Sequence, residues 1–212
     1  MALEEIKAAA ALRMSEGASA ALVDIRPPDA FARGHLKGAL SIPFSPRGFA
    51  ARAWTIAPGG KPLVLVGDDA QKLDAAAAQA VGGGISVAGV VTGEPGAWAR
   101  DGVPVQSTGL VSTAALRERL ATDGVRVLDV REPMEWETGH VPGAILIPLG
   151  ELRARMGELD RRHPLLVICE SGTRSSSAAS ILQAAGFADV ANVIEGTAGC
   201  RRAGLELQNT TP

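Results

Sequence analysis

Cysteine is scarce in this chain. Among 212 residues there are two cysteines, Cys169 and Cys200. Two cysteines are too few for the disulfide framework that stabilises many small secreted domains. A reducing compartment would keep a single thiol usable as a nucleophile. The cysteine content therefore predicts no disulfide scaffold and is compatible with a cytoplasmic protein.

The chain also lacks long hydrophobic runs and an excess of charge of one sign. It has no apolar stretch of the ~18 residues that a membrane-spanning helix needs. Residues 1–5 are acidic, whereas a secretory signal needs positive charge before its apolar core. The formal charge of -2 and three scattered tryptophans give no reason to expect nucleic acid or an anionic membrane as a partner. We therefore expect a cytoplasmic protein that binds neither.

The sequence repeats itself. With 212 residues, 46% of them hydrophobic, the chain can bury one large core or two small ones. Four pairs of segments correspond: 21–28 with 126–133, 34–39 with 139–144, 61–66 with 163–168, and 99–103 with 201–205. The first two pairs are separated by 105 residues and the last two by 102. A repeat of this length is too long for a solenoid and suits a small globular domain.

Each copy alternates short apolar runs with helix-like segments, a pattern typical of an α/β domain with a mainly parallel sheet. We predict one domain over residues 1–106 and a second over 107–212, joined by a linker near 106–109. In the second copy, Asp123-Gly124 is expected to end a helix before a strand over 125–130.

The stretch with the clearest chemical signal runs from residue 165 to residue 179. The apolar residues 165–168 predict a buried parallel strand that leads to Cys169, and Ser175 is expected to begin a helix. A short loop that contains Gly172 can turn backbone N–H groups toward the sulfur, while the helix N-terminus and Arg174 add positive charge. These features favour a reactive thiolate. The alternative is an inert, buried thiol.

The segment from Cys169 to Arg174, followed by Ser175, resembles the six-residue active-site loop of the rhodanese sulfurtransferase family. Residues 128–132 and 139–144 resemble two further signature segments of that family, in the family's order. The resemblance implies two tandem rhodanese-like domains, each a mainly parallel sheet flanked by helices on both faces.

The resemblance also implies a reaction. The thiolate of Cys169 would attack the outer sulfur of thiosulfate or a related donor, and a thiol or cyanide would then take the sulfur from the Cys169 persulfide. The implied substrate-binding residues are those of the loop: Glu170, Ser171, Gly172, Thr173, Arg174 and Ser175. Arg174 would orient the sulfonate of the donor. A thioredoxin-like or sulfur-carrier protein is a further candidate partner, and no cofactor or metal is expected.

One residue of the loop argues against thiosulfate itself. Glu170 places a carboxylate next to the nucleophile, and its charge would disfavour a donor with two negative charges. The sequence therefore leaves open whether the donor is thiosulfate or a less charged compound such as a thiol persulfide.

The first copy lacks these groups. Gly67 stands where the second copy has Cys169, Asp68 and Asp69 follow it, and Lys72 replaces Arg174. Two acids would oppose thiolate formation and repel anionic donors. We therefore predict an inactive first domain with a structural or regulatory role, and consider a metal site at Asp68 and Asp69 the weaker alternative.

Residues that recur in both copies cannot depend on a cysteine that only one copy has, so they are predicted to be structural. These pairs are His35 with His140, Asp24 with Asp129, and Arg26 with Arg131. Glu132 and Glu135, which are not repeated in this way, are expected to lie in a solvated turn before residue 139.

Alternative functions remain open at this point. Cys200 occupies the position of Trp98 in the first copy, and is either a core residue or a thiol that resolves a Cys169 persulfide in a thiol-dependent reductase. Related phosphatases and arsenate reductases have five residues between cysteine and arginine, whereas four separate Cys169 from Arg174. A non-catalytic binding or regulatory module is the third possibility.

Overall fold

The computed structural model describes residues 3–57, 59–121 and 125–209. The predicted turn at Asp123-Gly124 lies outside these ranges. By its internal contacts the chain divides into two compact units, Met1–Ser107 and Thr108–Pro212.

The first unit is built from alternating strands and helices. Its strands are β1 (Ala21–Asp24), β2 (His35–Leu36), β3 (Leu40–Ser41), β4 (Leu63–Val66), β5 (Val87–Val91) and β6 (Val105–Gln106). Its helices are α1 (Ala8–Glu16), α2 (Pro28–Arg33), α3 (Phe49–Ile56), α4 (Ala70–Gly82) and α5 (Pro95–Arg100). Four strands form a parallel sheet in the order β3-β1-β4-β5, and β2 pairs with β6 in an antiparallel ribbon.

The second unit repeats this arrangement. Its strands are β7 (Gly109–Val111), β8 (Arg126–Asp129), β9 (Ile145–Leu146), β10 (Leu165–Ile168) and β11 (Val190–Val193). Its helices are α6 (Thr113–Leu120), α7 (Pro133–Trp136), α8 (Leu152–Arg155), α9 (Thr173–Ala184) and α10 (Gly196–Arg202), with a 3-10 turn at Met156–Glu158. All strands are parallel, in the order β7-β11-β10-β8-β9.

The predicted fold class, two tandem α/β domains with parallel sheets flanked by helices, is confirmed. The strands β1, β4, β10 and β11 are buried at every position, and β8 is buried at all but its first residue. Continuous apolar runs are what a parallel sheet covered by helices requires, because neither face meets water. The segment predicted as a linker is partly in strands, since Gln106 ends β6 and Gly109 begins β7.

The recurring histidines are packed in the same way in the two units. His35 stacks on Phe31 with ring centroids 3.7 Å apart, and His140 stacks on Trp136 at 3.6 Å. The Nδ1 atom of each lies near the backbone carbonyl of its ring partner, at 2.9 Å and 3.2 Å. Burial lowers the pKa of His35 to about 4. These contacts are those of structural histidines.

Parallel strands place their carboxyl ends at the same edge of a sheet, where sites commonly form. In the second unit the central strand β10 lies between β8 and β11. The segments that follow these three strands lead into α7, α9 and α10. The fold therefore brings three separate segments of chain to the residue that follows β10.

Candidate active site

The residue that follows β10 is Cys169, which is 1% exposed. Two residues of its loop contact the sulfur. The backbone N–H of Gly172 donates to Sγ over 3.2 Å, and the Oγ of Ser175 lies 3.3 Å from Sγ. The helix α9 begins at Thr173, two residues earlier than the sequence predicts. The N-terminal turn of a helix and a backbone donor therefore meet at this sulfur.

The loop depends on glycine at its turn. Gly172 has a φ of +89°, a conformation that residues with a side chain rarely adopt. A Cβ atom at this position would also collide with the carbonyl group of Ile194, the residue that follows β11. Glycine is thus needed both for the turn and for the close approach of the two segments.

A hydrogen-bond network extends from the sulfur to a residue that the sequence analysis missed. Ser175 Oγ donates to Asn192 Oδ1 over 2.6 Å, and Asn192 Nδ2 donates to the carbonyl of Gly172 over 3.0 Å. Asn192 lies in β11 and is 1% exposed. A polar residue inside an otherwise apolar strand was the one sequence signal that could have identified it, because buried polar groups are retained where they find partners.

Replacing Asn192 with alanine is expected to slow sulfur loading and alkylation of Cys169 by about tenfold, the effect of losing a hydrogen bond that contributes about 1.5 kcal/mol. The variant removes the donor to Gly172, whose own N–H contacts the sulfur, and the acceptor that orients Ser175. The measurement is the rate of iodoacetamide alkylation at several pH values, with Ser180→Ala as the control. Ser180 lies further along α9 and donates to the carbonyl of Ser177. Equal rates in both variants would show that Asn192 does not position the loop.

The start of α10 closes the other side of the loop. The N–H of Thr197 donates to the carbonyl of Cys169 over 2.8 Å, and that of Ala198 to the carbonyl of Glu170 over 3.1 Å. Gly196 has a φ of +59°, and a Cβ there would collide with the backbone of Cys169 and Glu170. These contacts fix the backbone of the loop from outside its own sequence.

Glu170 is held at the rim of the loop by side chains of α10. Its carboxylate accepts a hydrogen bond from Thr197 Oγ1 over 2.6 Å and pairs with Arg201. The buried Arg131 lies 3.9 Å from the same carboxylate. Burial acts to raise the pKa of Glu170, but Thr197 and the two arginines outweigh it and hold the pKa below its usual value. The carboxylate that the sequence places beside the nucleophile is therefore ionised and paired.

Arg174, which was expected to orient an anionic donor, is paired with a carboxylate. Its two terminal nitrogens donate to the two carboxylate oxygens of Glu135, each over 2.6 Å. Glu135 was expected in a solvated turn. Its carboxylate also accepts a bond from the N–H of Glu132, which completes the capping box of α7. The hydrogen bonds from Arg174 lower the pKa of Glu135 to about 2.

Asp129 and Arg131 form a fully buried ion pair beneath the loop. Arg131 donates to both carboxylate oxygens of Asp129, with the shortest bond 2.7 Å, and to the carbonyls of Glu135 and Gly139. The first unit has the corresponding pair of Asp24 and Arg26. The pair ties the end of β8 to the segment that carries Glu135, so it supports the loop without contacting the sulfur.

Helix α9 is buried over most of its length by small side chains. All residues from Ser175 to Leu182 are buried, among them four serines and two alanines. Small residues allow a helix to lie close to the sheet below it, here β10 and β11. This close packing sets the distance between the N-terminus of α9 and Cys169.

Cys200 lies in α10 and is fully buried in an apolar cluster with Val111, Leu116 and Ile168. Burial raises the pKa of its thiol, which disfavours the thiolate that a resolving cysteine needs. Both cysteines are free. This environment is that of a core residue.

The corresponding loop of the first unit has Gly67 after β4. Asp69 caps α4 by accepting from the N–H of Lys72 over 3.1 Å, and its carboxylate pairs with the Lys72 ammonium at 3.3 Å.

Within the described ranges no cluster of three or more histidine, cysteine or acidic residues is arranged to hold a metal ion. In the same ranges no helix is long and apolar enough to cross a membrane.

Both units match a known protein family. The family model described as "Rhodanese-like domain" matches residues 7–99 and again 112–203. A "Sulfurtransferase" from Allochromatium vinosum is 32% identical over 98 residues, which make up 46% of this chain and 92% of that protein. A "Thiosulfate sulfurtransferase GlpE" from Pseudomonas syringae is 35% identical over 97 residues, 46% of this chain and 80% of that protein.

A third relative is longer than its match. The "Putative sulfur carrier protein YrkF" from Bacillus subtilis is 40% identical over 87 residues, 41% of this chain. The chain spans 47% of the length of that relative.

Proposed function

The chain belongs to the rhodanese-like family, and from this premise we propose that it transfers sulfane sulfur from a small donor to a thiophilic acceptor through a persulfide on Cys169. Relatives named as sulfurtransferases support the general activity. The observation that carries the proposal is the position of Cys169 Sγ, which receives the Gly172 N–H at 3.2 Å at the N-terminus of α9. Donors aimed at a sulfur anion stabilise it in both the resting and the persulfide state.

The first half of the reaction is a displacement at sulfur. The Cys169 thiolate attacks the transferable sulfur of the donor, a new S–S bond forms, and the bond that joins this sulfur to the rest of the donor breaks with its electron pair on the leaving group. From thiosulfate the leaving group is sulfite. In the second half a thiolate or cyanide attacks the outer sulfur of the persulfide, and the Cys169 thiolate is released.

The acceptor and the place of the reaction belong to the same proposal. A small thiol or cyanide reaches the persulfide directly, and a thioredoxin-like or sulfur-carrier protein is the macromolecular candidate. We propose a cytoplasmic location, where thiols stay reduced.

The first unit is proposed to have no transfer activity of its own. Gly67 offers no nucleophile, and Asp69 is occupied as the cap of α4. Its contribution is then structural or regulatory. The domain assignment proposed for the two activities is residues 1–106 for the inactive copy and 107–212 for the catalytic copy.

A reductase that uses Cys200 as the resolving thiol is disfavoured by the environment of that residue. Its burial among apolar side chains holds it as a thiol. Phosphoryl transfer is disfavoured because Arg174 is paired with Glu135. An arginine held in this way is a poor ligand for a tetrahedral dianion.

The proposal is tested by intact-protein mass spectrometry of the full chain, before and after incubation with thiosulfate, mercaptopyruvate or glutathione persulfide. We expect a mass gain of one sulfur that maps to the peptide containing Cys169 and disappears with cyanide as thiocyanate forms. Cys200→Ala is the matched control and is expected to load equally. A loss of two hydrogens that needs both cysteines would instead establish the reductase, and no mass change with any donor would leave a binding module.

A further inference from the structure

The charges around Cys169 are balanced. Three arginines near the loop are paired with carboxylates: Arg131 with Asp129, Arg174 with Glu135, and Arg201 with Glu170, whose carboxylate also lies 3.9 Å from Arg131. The first pair is fully buried, and the other two are partly exposed at the rim. A donor that enters over these rim pairs meets as many negative charges as positive ones.

Glu135 holds the arginine of the loop itself. The pair has the two-pronged geometry in which each terminal nitrogen of Arg174 meets its own carboxylate oxygen, at 2.6 Å. The backbone N–H of Glu132 also donates to the Glu135 carboxylate and holds it in place. Its pKa of about 2 keeps it charged throughout the neutral range. Arg174 therefore presents its charge to a carboxylate rather than to an incoming anion.

We propose that Glu135 is a specificity-determining residue: by neutralising Arg174, it makes the Cys169 loop select an organic persulfide over the dianion thiosulfate. This inference rests on the proposed function of Cys169 and names the donor class for it. A persulfide carries at most one negative charge on its sulfurs, whereas thiosulfate carries two. An arginine that is already paired offers little attraction to either donor, and this loss matters more for the dianion than for a persulfide with one charge.

Transfer of sulfur from a persulfide to Cys169 needs no further reactant. The Cys169 thiolate attacks the outer sulfur of the persulfide, the donor S–S bond breaks, and the electron pair leaves with the organic thiolate. The apolar part of such a donor has a surface to contact at the rim, since Ile194, which packs on Gly172 through its backbone, is 39% exposed. Sulfite, the leaving group from thiosulfate, would instead depart as a dianion past an arginine that is already paired.

The test compares kcat/KM for thiosulfate and for a small alkyl persulfide that has no other charged group, in the wild type and in Glu135→Gln. The wild type is expected to favour the persulfide. In Glu135→Gln we expect kcat/KM for thiosulfate to rise about tenfold, the scale of one unpaired charge near a partly solvated dianion, and that for the persulfide to change less than about twofold. Glu158→Gln is the control, because Glu158 also forms a two-pronged pair with an arginine, Arg155, through Nε and one terminal nitrogen.

A second measurement varies the salt concentration. Because the rim charges are balanced, kcat/KM of the wild type for thiosulfate is expected to change little between about 20 mM and about 500 mM salt, a range over which screening of an unpaired cation would be large. In Glu135→Gln the same titration is expected to lower the thiosulfate activity steeply. A steep fall already in the wild type would overturn the inference.

The outcomes separate this inference from the proposed function. Equal losses with both donors in Glu135→Gln would make Glu135 a support for the loop only, and an unchanged donor preference would show that it does not select the donor. Either result overturns the inference while sulfur loading of Cys169 stands. Failure of the wild type to acquire sulfur from any donor would overturn the proposed function itself.

Discussion

Replacing Cys169 with serine is expected to abolish sulfur loading, a decrease of about a thousandfold or more, because an alcohol is a far weaker nucleophile than a thiolate at neutral pH. The change should leave the fold intact. A serine Oγ is smaller than sulfur and can accept the N–H of Gly172 that now contacts Sγ. The measurements are the mass gain after incubation with a donor and the rate of thiocyanate formation.

The control for this prediction is Cys200→Ala. This variant removes the other thiol of the chain and is expected to keep the loading rate, since Cys200 is buried in an apolar cluster. The unfolding transition of Cys169→Ser should match that of the wild type. Sulfur loading that persists in Cys169→Ser and disappears in Cys200→Ala would assign the chemistry to Cys200 and refute the proposed mechanism.

Replacing Asp129 with alanine is expected to lower the free energy of unfolding of the second unit by about 3–5 kcal/mol, the usual cost of leaving one member of a buried ion pair unpaired. Arg131 is fully buried, and the lost carboxylate accepts from its side-chain nitrogens and its backbone N–H. Both side chains are 0% exposed, so bulk solvent does not reach the arginine to replace that acceptor. Urea unfolding followed by hydrogen exchange of peptides would assign the loss to the second unit.

Two comparison variants sharpen this experiment. Asp24→Ala removes the equivalent carboxylate beneath the loop of the first unit, and a loss of the same size is expected there. Asp160→Ala breaks a pair with Arg162 in the second unit that is exposed to solvent, where pairing contributes little. Should Asp129→Ala prove no more destabilising than Asp160→Ala, the buried pair would not be a structural element of the domain.

The fold was predictable because its signals are local and occur twice. Apolar runs such as residues 165–168 indicate buried strands, and the repeat spacing of 105 residues indicates two copies of one domain. The same reasoning located Cys169 directly after a strand, where the structure also has it. The start of α9 was misplaced by two residues, since Gly172 and not a serine precedes its first turn.

The parts of the site that were missed depend on long-range contacts. Glu135 and Arg174 are 39 residues apart, in segments that follow different strands. Ser175 and Asn192 are 17 residues apart. The sequence shows which residues directly follow a strand. The direction of each side chain and the residue that it contacts are set by packing. Glu135 was therefore expected to be solvated in a turn, although its carboxylate pairs with Arg174 of the loop.

Because α9 is closely packed, the reactivity of Cys169 depends on the volume of the side chains along this helix. Residues 175–180 of this helix are buried serines and alanines, and the helix starts at the loop that surrounds the sulfur. An added methyl or larger group anywhere along this buried surface would push the helix outward, since a close-packed interior has no room to absorb it. Tolerance to substitution in this segment is thus limited by bulk rather than by polarity, even at positions remote from the sulfur.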